Sequence, residues 1–231
     1  MYIGGLQKLT LLDYPGHIAC TVFTAGCNFR CPFCHNSSLV LPEEFSPAME
    51  IHELLSFLQK RRGILDGVAI TGGEPLLHAD MPELLREIKT LGFLVKLDTN
   101  GSFPDRLKAL IDEGLVDRVA MDVKNSPALY AQTAGIANLD LDAITRSRDL
   151  LMQGRVEYEF RTTVVKPLHT AESLQETAKW IEGAKEYYLQ QYRDPGCVLN
   201  NVGLASYDEA EMRAFAETVR PYVPSVQLRG L

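Results

Sequence analysis

Apolar and polar positions along this chain follow two alternating rhythms. Short apolar and β-branched runs at 17–24, 67–71, 93–98, 118–123, 157–165 and 187–192 predict six strands, each apolar enough to be covered on both faces as parallel strands are. Between them, apolar residues recur three and four apart over 49–62, 81–91, 104–113, 141–153, 171–182 and 208–222, which predicts helices. Asp80 and Thr170 stand where N-caps belong, and Gly92, Gly114, Gly154 and Gly183 follow helices as left-handed stops. The pattern is that of repeated strand–helix units in an α/β chain, read as a single domain over 1–231, with 225–231 as a short terminal strand or tail. Parallel strands joined by helices cross over right-handedly, so the units form either an open doubly wound sheet or part of a barrel. Periodicity leaves both open.

In both architectures ligands gather at the carboxyl ends of the strands. The polar residues of this chain fall there. The first strand leads into Cys27, Cys31 and Cys34, and the second ends in Thr71-Gly72-Gly73-Glu74-Pro75. The paired glycines let backbone approach a ligand, and the Glu74 carboxylate can accept from an ammonium. The third strand ends in Asp98-Thr99-Asn100-Gly101, the fourth in Asp122-Val123-Lys124, and the fifth carries Arg161. Taken singly, each has a plainer reading as a tight turn, a helix cap or an ion pair. Their shared position predicts one pocket with three carboxylates and two cations beside the cysteines, a set suited to a zwitterionic ligand.

Three clustered thiols are one short of the four that iron–sulfur clusters usually take, which would leave one iron open. Zinc, with His17 or His35 as fourth ligand, is the first alternative. A redox pair of Cys31 and Cys34 is the second, but it gives Cys27 no role. Five cysteines, three of them on one loop, favour metal in a reducing compartment over disulfides, with Cys20 and Cys197 read as structural. The 231 residues are 46% hydrophobic and 23% charged, as in globular chains. A net charge of −7, with no basic run longer than Lys60-Arg61-Arg62, gives no footprint for nucleic acid. No apolar stretch approaches membrane-spanning length and the first residues do not resemble a signal peptide, so a cytoplasmic location is expected.

The spacing Cys27-x-x-x-Cys31-x-x-Cys34 followed by Gly72-Gly73-Glu74-Pro75 resembles the radical S-adenosylmethionine (SAM) superfamily. Within it, Cys31-Pro32-Phe33-Cys34-His35-Asn36, Asp98-Thr99-Asn100-Gly101 and Asp122-Val123-Lys124 look like the activating enzymes of glycyl radical enzymes. The opening Lys8-Leu9-Thr10-Leu11-Leu12-Asp13-Tyr14-Pro15-Gly16 and closing Leu228-Arg229-Gly230-Leu231 are similar to anaerobic ribonucleoside-triphosphate reductase activators, with pyruvate formate-lyase activators next. The resemblance implies an incomplete (β/α)6 barrel with a [4Fe–4S] cluster on Cys27, Cys31 and Cys34. S-adenosylmethionine on the open iron would be cleaved reductively to a 5′-deoxyadenosyl radical, which takes hydrogen from a glycine of the partner enzyme, expected to be anaerobic ribonucleotide reductase. It further implies Gly73 and Glu74 at the methionine amino group, with Gly72 beside them in the cofactor-binding set, Lys124 and Arg161 towards its carboxylate, the Phe33 main chain at the adenine, and a monovalent cation on Asp98 and Asp122. A small electron-donor protein such as a flavodoxin is the implied reductant. Pyruvate formate-lyase activators present a late histidine, for which Gln191 or Tyr192 would substitute here. A radical SAM enzyme acting on a small molecule is the alternative, with 196–207 as its candidate lid.

Overall fold

The computed structural model describes residues 1–40, 49–194, 196 and 198–231, so Cys197 lies outside the described residues. Eight strands form one sheet in chain order: β1 (Ile3–Thr10), β2 (Ala19–Thr24), β3 (Gly67–Gly72), β4 (Leu94–Thr99), β5 (Arg118–Asp122), β6 (Glu157–Val164), β7 (Tyr187–Gln191) and β8 (Gln227–Arg229). From β2 to β8 every neighbouring pair is parallel. A doubly wound sheet reverses its strand order at a switch point. This order never reverses, so the sheet winds one way as a barrel does, and among the described residues no pairing joins β8 to β1.

The six predicted strands are the parallel β2 to β7. β8 realises the short terminal strand. β1 was not predicted: it pairs antiparallel to β2 with two register irregularities, and its sequence IGGLQKLT has two glycines after Ile3 and leaves Gln7, Lys8 and Leu9 exposed. An edge strand with one wet face and no strict alternation gives little period-two signal.

The predicted helices are α2 (Ile51–Arg61), α3 (Met81–Thr90), α4 (Pro104–Asp112), α6 (Leu141–Met152), α7 (Ala171–Trp180) and α8 (Glu209–Val219). Two short ones, α1 (Ser37–Val40) and α5 (Tyr130–Ala134), span too few residues to show a helical period. Thr170 caps α7 by accepting from the Ser173 amide. Asp80 occupies the cap position of α3 without capping, because its carboxylate holds the Met1 nitrogen at 2.7 Å.

Strand alternation divides the barrel wall. Val68 and Ile70, Val95 and Leu97, Val119 and Met121, and Tyr158 and Phe160 join the core shared with the helices. Their neighbours Thr71, Asp98, Asp122 and Arg161 line an interior cavity. The expectation of strands apolar on both faces therefore holds for the outer face alone. The inner face is charged, and its groups pair with one another inside the barrel. Fully buried Glu159 accepts from Arg118 at 2.9 Å and from Arg229 of β8 at 2.8 and 3.2 Å, which ties the last strand to the wall.

Candidate active site

The cysteine loop leaves β2 at Thr24 and is held from three sides. The Arg30 guanidinium donates to the Cys27 and Phe29 carbonyls at 2.7 and 2.8 Å, and the Arg30 amide donates to the Ala134 carbonyl at the end of α5. Amides of Leu199 and Asn200 donate to the carbonyls of Cys34 and Pro32, so the late segment braces this loop.

Gly72 and Gly73 explain the contact on the other side. The Gly73 and Glu74 amides donate to the carbonyls of Thr24 and Gly26 at 2.8 and 2.7 Å. A Cβ on Gly73 would stand 2.0 Å from the Gly26 oxygen, and one on Gly72, at φ +113°, would stand 2.4 Å from Thr24 backbone. Only glycine lets the two loops approach this closely. Asn36 closes the seam by donating to the Gly72 carbonyl at 3.0 Å.

Cys27, Cys31 and Cys34 line a cavity of about 400 Å³ together with Phe33, Gly72, Gly73, Asp98, Asp122, Lys124 and Arg161. Ten of the eleven residues singled out from sequence thus share one cavity, at the carboxyl ends of the parallel strands. Burial pushes the Cys27 thiol up to about 12 and the Cys31 thiol up to about 11, the Phe29 amide opposing the first and Lys124 the second. Free thiols here stay protonated at neutral pH, and metal must supply the charge that ionises them. Among the described residues no three His, Cys, Asp or Glu side chains are grouped to hold a single metal ion. The donor set itself suits an iron–sulfur cluster: three thiols on one loop, the Phe29 amide 3.4 Å from the Cys27 sulfur, and Lys124 as a nearby positive charge.

Glu74 is the exception. It is fully buried, does not line the cavity, and its carboxylate accepts from the Leu76 amide, the Thr99 hydroxyl and the Asn100 amide at 3.0, 2.8 and 2.7 Å. Its oxygens are spent on fixing the glycine loop to the end of β4, so its side chain is an anchor rather than the ligand expected from sequence. Burial pushes this carboxyl up to about 7, against those three donors. A folded value above the unfolded one means that the folded state binds the proton more tightly, so the stabilisation is complete below about pH 4 and is lost as pH rises through about 7. Glu74→Gln should remove that dependence: melting temperatures measured from pH 5 to 8 should fall for wild type relative to the variant, while the variant is less stable at pH 5 by about 1–3 kcal/mol for its one mismatched donor. Parallel pH profiles would contradict this.

The two aspartates and two cations are also partly committed. Arg161 bridges Asp98 and Asp122, and Lys124 lies 2.9 Å from Asp122. Burial would raise the Asp122 carboxyl, but Arg161 and Lys124 hold it well below the usual range. Of the late-strand residues, the cavity is lined by Gln190 rather than by the expected Gln191 or Tyr192. Gln191 donates to the Tyr207 carbonyl and Tyr192 stacks on His35 at 5.8 Å, whereas Gln190 lines the cavity. Strand alternation carried the signal, since Gln190 is the polar neighbour of buried Leu189. Asn100, whose side-chain Nδ2 stands 4.0 Å from the Cys27 sulfur, was legible only as part of a motif.

With this geometry in place, comparison with known proteins decides the family. The Radical SAM superfamily model matches residues 21–219. The chain belongs to the radical SAM superfamily. Enzymes of this family use a [4Fe–4S] cluster and S-adenosylmethionine. A Methanocaldococcus jannaschii protein, provisionally named a glycyl-radical enzyme activating enzyme, is 31% identical over 238 residues, covering 99% of this chain and 96% of that one. A domain of a pyruvate-formate lyase-activating enzyme from Bacteroides vulgatus superposes with a TM-score of 0.58 at 14% identity, over 71% of this chain and 99% of that one. Streptococcus suis SuiB, solved with S-adenosylmethionine, gives a TM-score of 0.70 at 16% identity over 90% of this chain and 49% of SuiB. These last two show the fold: an unclosed α/β radical SAM barrel. Among the described residues no helix is long and apolar enough to cross a membrane.

Proposed function

We propose that this radical SAM enzyme activates a glycyl radical enzyme, with anaerobic ribonucleotide reductase as the partner and a flavodoxin-like protein as cytoplasmic electron donor. Residues 1–231 act as one domain. Cys27, Cys31 and Cys34 hold the cluster. The Gly72–Gly73 backbone receives the methionine amino group, Lys124 and Arg161 supply positive charge towards its carboxylate, and the Phe33 main chain meets the adenine. When bound, the reduced cluster and S-adenosylmethionine supply a primary carbon radical that can abstract hydrogen from a glycine. The chain's part is to orient the cofactor, exclude water and admit the glycine to near-attack distance.

The observation that carries a protein substrate is where the two ends of the chain meet. Leu11, Leu12, Asp13, Pro15 and Gly16, just after β1, form one bank of a cleft of about 600 Å³, and Arg229 at the end of β8 and the following Gly230 form the other. The cleft lies where the barrel fails to close, and it shares Asp13, Arg161 and Gln190 with the cofactor cavity. Leu11 and Leu12 are 67% and 86% exposed, apolar surface that a partner's loop would cover. A small-molecule enzyme would close the pocket with its own segment, yet none of the described residues of 196–207 lines the cavity.

Anaerobic reconstitution, reduction and mixing with S-adenosylmethionine and the candidate reductase tests the proposal. A glycyl radical detected by electron paramagnetic resonance on the reductase, with 5′-deoxyadenosine formed in matching amount, is the expected result. 5′-Deoxyadenosine without any protein radical would refute it.

A further inference from the structure

Lys96, two residues before Asp98 on β4, shares its inward face and is buried, its side chain only 2% exposed. A lysine so removed from water is kept only when paired. Its partner is Asp98 Oδ1. Arg161 Nη1 donates to Asp98 Oδ2 at 3.0 Å, and Arg161 Nε and Nη2 stand 2.9 and 2.8 Å from Asp122 Oδ1. Lys124 donates to Asp122 Oδ2 at 2.9 Å. Every carboxylate oxygen of both aspartates therefore carries a side-chain cation; the third interior carboxylate, Glu159, also faces Lys96 and Arg161 but is itself held by Arg118 and Arg229, which leaves three cations to the two aspartates. An alkali cation is held by oxygens that replace its hydration shell. Each oxygen of Asp98 and Asp122 already faces an ammonium or guanidinium that would repel a further cation, so these residues do not fit the monovalent cation that the resemblance implies.

We propose that Lys96 is the built-in counter-ion of this site: by neutralising Asp98 from the neighbouring cleft, it leaves Arg161 and Lys124 with surplus positive charge for the cofactor carboxylate and makes cofactor binding independent of potassium or sodium. Lys96 lines the neighbouring cleft rather than the cofactor cavity, so it is a positioning residue that acts through Asp98 and Arg161. The inference rests on the assignment of the cavity to S-adenosylmethionine.

The test is equilibrium dialysis of labelled S-adenosylmethionine against anaerobically reconstituted protein in potassium, sodium and choline chloride at equal ionic strength. Wild type should bind within about twofold in all three, since its counter-ion is covalent. Lys96→Met should bind about tenfold or more weakly in choline and recover in potassium, because the truncated buried pair leaves Asp98 Oδ1 without its cation, and draws Arg161 further onto Asp98, until an ion replaces the ammonium. Lys96→Arg, which keeps charge, should remain indifferent to the salt and guards against a folding defect in the methionine variant. Wild-type binding that tightens more than about fivefold with potassium or sodium, or a methionine variant as salt-indifferent as wild type, would overturn the proposal alone. Failure to bind in every salt would overturn the cavity assignment and the proposal with it.

Discussion

Cys31→Ala is expected to leave the folded protein almost without iron and to cut 5′-deoxyadenosine formation to below about one hundredth of wild type, a loss larger than partners of metal ligands usually cause. Cys31 is 7% exposed, and its sulfur lies 3.8 Å from the Ala134 carbonyl at the foot of α5. A purely structural thiol at this position would behave like Cys20, which is fully buried in the core and does not line the cavity. Cys20→Ala should therefore cost stability while keeping iron and activity. Iron and sulfide content, the resonance spectrum of the reduced cluster and 5′-deoxyadenosine yield separate the two cases. Full iron occupancy and wild-type turnover in Cys31→Ala would return the triplet to a packing role.

The second large effect is expected at Gly73. An alanine Cβ there meets the Gly26 carbonyl oxygen at 2.0 Å, and both strands of backbone are pinned by the Gly73 and Glu74 amides, so nothing flexible can yield. The expected cost is about 3 kcal/mol or more. For a chain of this size that lowers the melting temperature by roughly 6–12 °C. Displacing Gly26 also shifts the base of the cysteine loop, so cluster occupancy should fall with stability. Gly92→Ala is the comparison: its φ of +90° penalises a side chain, but nothing lies within 4 Å. It should lose about 1–2 kcal/mol and keep its cluster. Equal iron content in Gly73→Ala and wild type would show that the loop junction tolerates the methyl group.

Much of the site was legible because strand ends and active sites coincide in this class of fold. A residue immediately after a β-branched run is at the carboxyl end of a strand, and that rule alone brings Cys27, Gly73, Asp98, Asp122 and Lys124 together. Glu74 was misread because its neighbours in sequence do not reveal its partners in space: the donors on Thr99 and Asn100 come from the next strand. Lys96 was passed over because a lysine within an apolar run looks like a surface residue until the register places it opposite the interior. Gln190 rather than Gln191 lines the cavity, because adjacent residues on a strand point to opposite faces.

The sequence by itself determined the alternation of strands and helices, the location of the chemistry on the loops that follow strands, and the cysteine and glycine motifs, because these are local properties of periodicity and spacing. Only the tertiary structure decided that the sheet winds one way and stays open, that β1 and β8 bring the two end motifs to one cleft, and which charges pair inside the barrel. Those outcomes depend on residues brought together from distant parts of the chain, 63 positions for Asp98 and Arg161 and 70 for Glu159 and Arg229, and no local pattern encodes which of several buried cations a carboxylate will hold.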